Sequence, residues 1–96
     1  MLHLIFQSPV EAAVLARIDS GDVVVFLENA VLRVLQNGSL SARLTQMLDC
    51  NRLCVLTSDM GARGIAQADL IKGFEVIDYA GLVELTVASR VIQSWT

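Results

Sequence analysis

Ninety-six residues make a single domain, 1–96, with a core that is sufficient but thin. The chain is 54% hydrophobic and only 18% charged, more apolar than an ordinary soluble domain; the surplus must form a surface patch, which marks a subunit. Net charge −3, with seven dispersed basic residues, leaves no electrostatic footprint for direct nucleic-acid binding. No apolar run approaches the ~20 residues that span a bilayer. Met1 opens straight into Leu2-His3-Leu4-Ile5-Phe6 without a basic leader, so a cytoplasmic protein is expected.

Leu2 to Phe6 reads as a first strand. Gln7-Ser8-Pro9 ends it, and Ser8 before Pro9 is a good helix start, an N-cap followed by proline at the first helical position. A short helix over 10–18 then places Val10, Val14 and Ile18 on one stripe. Asp19-Ser20-Gly21-Asp22 is a turn by composition, and Val23 to Leu27 is a continuous apolar strand of the kind buried on both faces of a parallel sheet. Glu28-Asn29 opens a helix to about Gln36, with Val31, Leu32 and Leu35 inward, stopped by Asn37-Gly38. A further helical segment covers 39–48, and a third strand 51–57.

That strand runs into Thr57-Ser58-Asp59, residue types that cap helix N-termini, and Gly64 stops the helix about a turn and a half later. In an open parallel sheet this rim, the carboxyl ends of the strands, is where ligands and partners meet the fold. Ala66 to Gly73 is a connector with some helical content. Phe74 to Ile77 is a fourth strand, Ala80 to about Ser89 a last helix, and Val91 to Trp95 an extended tail. Strands alternating with short helices predict an α/β domain: three layers, α/β/α, around a mainly parallel sheet of four or five strands.

Little of this carries chemistry. Gly61 and Gly64 lack the rest of a dinucleotide fingerprint or P-loop. Two cysteines and one histidine are too few for a zinc site, and no cofactor or metal is expected. Cys50 and Cys54 would stand roughly 13 Å apart along a strand, too far for a disulfide. Cys54, inside an apolar strand, reads as a small core residue whose thiol is silenced by burial. Cys50 lies at the amino edge of the sheet, where Arg52 favours its thiolate and Asp49 opposes it, and reads as a surface thiol. His3, flanked by Leu2 and Leu4, reads as a satisfied structural histidine. Arg63 is expected to pair with Asp59 one turn back, with Ser58 or Asp59 capping the helix. Asp78 and Tyr79 either end a strand and cap the last helix or face a partner. Ser58, Asp59, Arg63, Asp78 and Tyr79 are therefore the candidate rim or partner-interface residues, and no catalytic residue is assigned.

The motifs also have a familiar order. Met1-Leu2-His3, then Ser8-Pro9, then Asp59-x-x-Ala62-Arg63-Gly64, then Asp78-Tyr79-x-x-Leu82-Val83-x-Leu85-Thr86, and finally Gln93-Ser94-Trp95 resemble the TusB/DsrH family across nearly the whole chain. The resemblance implies a DsrE-like domain and a cytoplasmic subunit of a hetero-oligomer with TusC/DsrF-like and TusD/DsrE-like chains. In the Tus form such a complex relays persulfide sulfur toward 2-thiolation of the wobble uridine of certain tRNAs. In the Dsr form it serves sulfur oxidation. It further implies that the sulfur-carrying cysteine belongs to the TusD/DsrE-like partner. DsrH-type chains usually carry a cysteine in the first helix, and the segment 10–18 has none, which favours a TusB-like, non-catalytic subunit. The alternatives are a DsrH-type subunit of a sulfur-oxidation complex, a sulfurtransferase using Cys50, and a free-standing module that binds a small ligand at Ser58–Gly61.

Overall fold

The computed structural model describes residues 1–6 and 12–95. Five strands form one all-parallel sheet: β1 (Leu2–Ile5), β2 (Val23–Phe26), β3 (Arg52–Leu56), β4 (Glu75–Ile77) and β5 (Ile92–Trp95), in spatial order β4-β3-β2-β1-β5. The α-helices are α1 (Ala12–Leu15), α2 (Ser41–Met47), α3 (Thr57–Ala62) and α4 (Tyr79–Ala88), with 3₁₀ segments at Glu28–Val34 and Gln67–Asp69. The Ser8-Pro9 helix start and Val10 lie outside the described residues.

Strand order dictates how the layers fill. From β1 to β4 each strand is laid beside its predecessor in one direction, and parallel crossovers are right-handed, so α1, α2, α3 and the 3₁₀ segments between them share one face. The connection from β4 to β5 runs back across the sheet, which puts α4 on the opposite face. The two buried clusters follow this division. One gathers Ile5, Val24, Phe26, Leu53 and Val55 of the sheet with Leu15, Val31, Val34, Leu44, Met47 and Met60. The other gathers Leu2, Val25, Leu27, Cys54 and Leu56, with only Leu82 and Leu85 of α4 packed on them. The sheet is the middle of three layers, but among the described residues one outer layer is a single helix.

The α4 face is therefore thinly covered. The sequence YAGLVELTVA is apolar nearly all round, no residue of the helix is buried, and Tyr79, Val83 and Val87, at i, i+4 and i+8, are 62%, 56% and 82% exposed. Val91 and Ile92 follow at 53% and 43%. Here the surplus of apolar side chain reaches the surface.

The segment after β2 departs from expectation. It is a 3₁₀ helix, not an α-helix, and buries Ala30, Val31 and Val34 while Leu32 is 42% exposed. The tighter three-residue period turns Val31 and Val34 inward and Leu32 outward. Leu35 is extended and forms an antiparallel bridge with Leu70, and the Gln36 side-chain amide donates to the carbonyls of Ala68 and Leu70, both at 2.9 Å. Those contacts pull the chain out of the helix before Asn37-Gly38.

Candidate functional site

At the carboxyl ends of the central strands, β2 leads into Glu28-Asn29 and β3 into Thr57-Ser58-Asp59. Adjacent strands bring these two loops together, and their side chains close a network. Glu28 has φ +51°, in the left-handed region a bulky residue rarely adopts. Its backbone N–H donates to Asp59 Oδ2 at 2.6 Å, which holds the strained turn in place. Arg63 reaches across to the same loop, with Nε and Nη2 donating to Asn29 Oδ1 at 3.1 and 2.8 Å. Its Nη1 donates to the Asp59 carbonyl at 3.1 Å, while the Asp59 carboxylate stands 4.0 Å away, the outer limit of an ion pair.

The expected Arg63–Asp59 pair forms, at 4.0 Å, but Arg63 also holds Asn29, 34 residues away in sequence, at shorter distances; the expected cap is corrected. Neither Ser58 nor Asp59 caps α3: the N-cap position is Leu56, without a side-chain cap bond, because the helix begins at Thr57 directly on the strand end and the Asp59 carboxylate is taken by Glu28. Asp59 still sits in the first turn, beside the positive end of the helix dipole. The stop at Gly64 is as expected. Gly64 has φ +69°, and the amides of Ile65 and Gly64 donate to the carbonyls of Met60 and Gly61, the paired bonds of a Schellman ending.

Arg63 therefore staples the β2 loop to the β3 loop. Arg63→Ala should cost about 1–2 kcal/mol, more than a surface ion pair, because a part-buried guanidinium loses three hydrogen bonds. Urea unfolding would check it; a change below about 0.3 kcal/mol would mean that the staple is broken in solution.

Asp78 stands on the same rim at the end of β4 and serves its own helix: its Oδ1 accepts the Gly81 N–H at 2.8 Å. This is the capping role among the two readings offered for it. Tyr79 heads the exposed stripe of α4. The five candidates thus divide into a stapled pair, Asp59 and Arg63, with exposed Ser58 beside them, and the mouth of α4 at Asp78 and Tyr79. An open groove of about 450 Å³ lies between Leu35–Gly38 and Gly64, Ile65 and Asp69.

The cysteines part company. Cys54 is fully buried under α4, its Sγ 3.8 Å from Glu75 Oε2. Burial, then the Glu75 charge, pushes its thiol up to about 11, while Arg52 opposes weakly. Arg52 itself is engaged by Glu75 through Nε and through Nη2 at 3.2 Å. Cys50 is exposed at the opposite, amino end of β3, far from the rim.

Sequence reasoning missed two things. One is Asn29, which carried no signal because its partner is set by strand adjacency. The other is a cluster around His3. That ring is buried, at 1% exposure, with Nε2 2.9 Å from Asp22 Oδ2 and Nδ1 accepting the Trp95 indole N–H at 3.1 Å. The structural role expected of His3 holds, with partners 19 and 92 residues away.

An all-parallel five-stranded sheet, well covered on one face and thinly covered by α4 on the other, defines a three-layer α/β/α domain. The family description "DsrH like protein" matches residues 6–91, and the chain belongs to the DsrH-like family. It is 33% identical over 98 residues to Protein TusB of Pectobacterium parmentieri, covering 99% of this chain and 100% of that one. Among solved structures it resembles MTH1491, a protein of unknown function from Methanobacterium thermoautotrophicum, with TM-score 0.79 at 16% identity over 98% and 96% of the two chains. It also resembles the ychN protein of E. coli, with TM-score 0.74 at 14% identity over 98% and 97%. At those identities the two structures speak for the fold alone.

Proposed function

We propose that this chain is a non-catalytic subunit of a cytoplasmic sulfur-relay complex that passes persulfide sulfur toward tRNA wobble-uridine 2-thiolation. Full-length similarity to a TusB protein carries the reading. Its partners are TusC/DsrF-like and TusD/DsrE-like chains, and the sulfur-carrying cysteine is the TusD/DsrE-like subunit's. The Cys54 thiol, protonated at neutral pH and covered by α4, supports this, because a sulfur carrier must be a thiolate that another protein can reach. The exposed apolar stripe of α4 is the face proposed to meet the partner subunits. In a complex that already supplies a carrier cysteine, this chain contributes shape and contacts.

The test is sulfur transfer by the reconstituted three-subunit complex, with labelled persulfide followed to the downstream carrier. A Cys54→Ala chain should assemble and transfer at the wild-type rate, with a packing cost on the order of 1 kcal/mol. Cys50→Ser should behave the same. Abolished transfer in a folded, assembled complex containing Cys50→Ser would establish instead the alternative in which Cys50 is a carrier, a reading its exposure permits. Abolished transfer with Cys54→Ala in such a complex would overturn the non-catalytic reading.

A further inference from the structure

The cluster around His3 joins three distant parts of the chain. Asp22, in the turn before β2, is bonded through Oδ2 to the imidazole Nε2 at 2.9 Å and to the Asp19 backbone N–H at 3.1 Å. Its Oδ1 accepts the Met1 ammonium at 3.1 Å. On the other side of the ring the Trp95 indole donates to Nδ1. The ring planes are 16° apart with centroids at 6.3 Å, too far for their faces to touch; they lie side by side, as an in-plane N–H···N bond requires.

These bonds fix the tautomer. An indole N–H can only donate, so Nδ1 must present its lone pair and the ring proton must sit on Nε2, pointing at Asp22. Protonating the ring adds an N–H at Nδ1, which then faces another N–H. The indole bond cannot survive that change, whatever the Nε2 side gains from Asp22. Trp95 is the last residue of β5, and among the described residues β5 is an edge strand paired with β1 alone. The bonds recorded at its two ends are the Leu2 N–H to the Val91 carbonyl at 3.0 Å and the Phe6 N–H to the Trp95 carbonyl at 3.1 Å.

We infer that His3 is a proton-operated latch for the C-terminal strand, closed while Nδ1 is bare and opened when the imidazole becomes imidazolium. Among the described residues the charged groups bonded to this network are Asp22 and the Met1 ammonium; from β5 only the neutral indole reaches the ring. Burial alone would raise the Asp22 carboxyl, but its bonds to His3, the Met1 ammonium and the Asp19 amide outweigh that and hold it below its ordinary 3.8. The Asp22 carboxylate therefore stays ionised below the pH at which a free aspartate would protonate, and its bonds fail only in stronger acid.

The experiment uses the intact chain. At neutral pH the nitrogen shifts of the His3 ring should report a bare Nδ1 and a protonated Nε2. On acidification, followed by the ring's own carbon-bound proton shift, the hydrogen-exchange protection factors of the Leu2 and Phe6 amides should fall about tenfold as the ring protonates. Emission of the chain's single tryptophan should change in step. In His3→Asn, whose Oδ1 stands where Nδ1 accepts and which takes no proton, protection should be independent of pH over the same range. Should that variant fail to fold, Trp95→Phe, which removes the indole donor, should show lowered, pH-independent protection at Phe6. An Nδ1–H ring at neutral pH would overturn the latch. So would unchanged protection across the imidazole titration in the wild-type chain, or a wild-type response in either variant.

Discussion

Val83→Asp together with Val87→Asp should abolish association of this chain with the proposed partner subunits while leaving the chain folded. Both valines are on the outward stripe of α4, at 56% and 82% exposure, so neither substitution opens a cavity. In a helix interior the propensity cost is at most about 0.5 kcal/mol per site. The effect falls on the interface. A carboxylate buried against an apolar partner without a counter-charge costs several kcal/mol, and two of them exceed what a standard interface can absorb. A specific interface needs roughly 1,000 Å² in total, so Val91 and Ile92, exposed just beyond α4, are expected to extend the same contact. Size-exclusion chromatography of the co-expressed subunits gives the answer: the wild-type chain co-elutes with its partners, the double variant does not, and circular dichroism of the two is superimposable. Co-elution of the double variant would move the interface off α4. The isolated wild-type chain should also self-associate through this face at high concentration, and the substitutions should make it monomeric.

Phe26→Ala should be the most damaging single change to stability, at about 3–5 kcal/mol. Phe26 is fully buried on the central strand β2 and packs its ring against Phe74 at 5.8 Å and 52°, a tilted pair that adds to the burial. It lies in the larger cluster, beneath the 3₁₀ segment, so the hole would open between the sheet and the chain that leads to Glu28 and Asn29. A domain of this size has about 5–15 kcal/mol in all, and the midpoint of thermal unfolding should fall by more than about 10 °C. A loss below about 1 kcal/mol would mean that the core refills the space. Conservative Phe26→Leu should lose far less, which separates volume from strand propensity.

How far the sequence reaches is set by the range of the interaction. The first four strands were legible because their signal is local: Val23 to Leu27 is an uninterrupted apolar run, with Val24 to Leu27 buried, whereas β5 was legible only as an extended tail. The parallel α/β class followed from alternation and the Gly64 stop from the conformational freedom of glycine, while the Asp78 cap was one of the two readings its place before the last helix allowed. The silent character of Cys54 was also contained in its neighbours, Leu53 and Val55, because flanking apolar residues decide burial and burial decides the thiol. Contacts that depend on which strand lies beside which were not legible. Arg63 looks to Asp59 in sequence, but β2 and β3 are neighbours and offer it Asn29 at better distance and geometry. Asp59 was spoken for by the strained amide of Glu28, and no local pattern announces that. The 3₁₀ form of Glu28–Val34 arose from the pull of Leu70 and Ala68 on Leu35 and Gln36, more than thirty residues away. Composition alone required an apolar patch; only the return of the chain from β4 to β5 decided that one helix must cover a whole face, and hence that the patch is α4. His3 and Trp95 stand at opposite ends of the chain, and it is that same return, placing β5 beside β1, that makes them hydrogen-bonded neighbours.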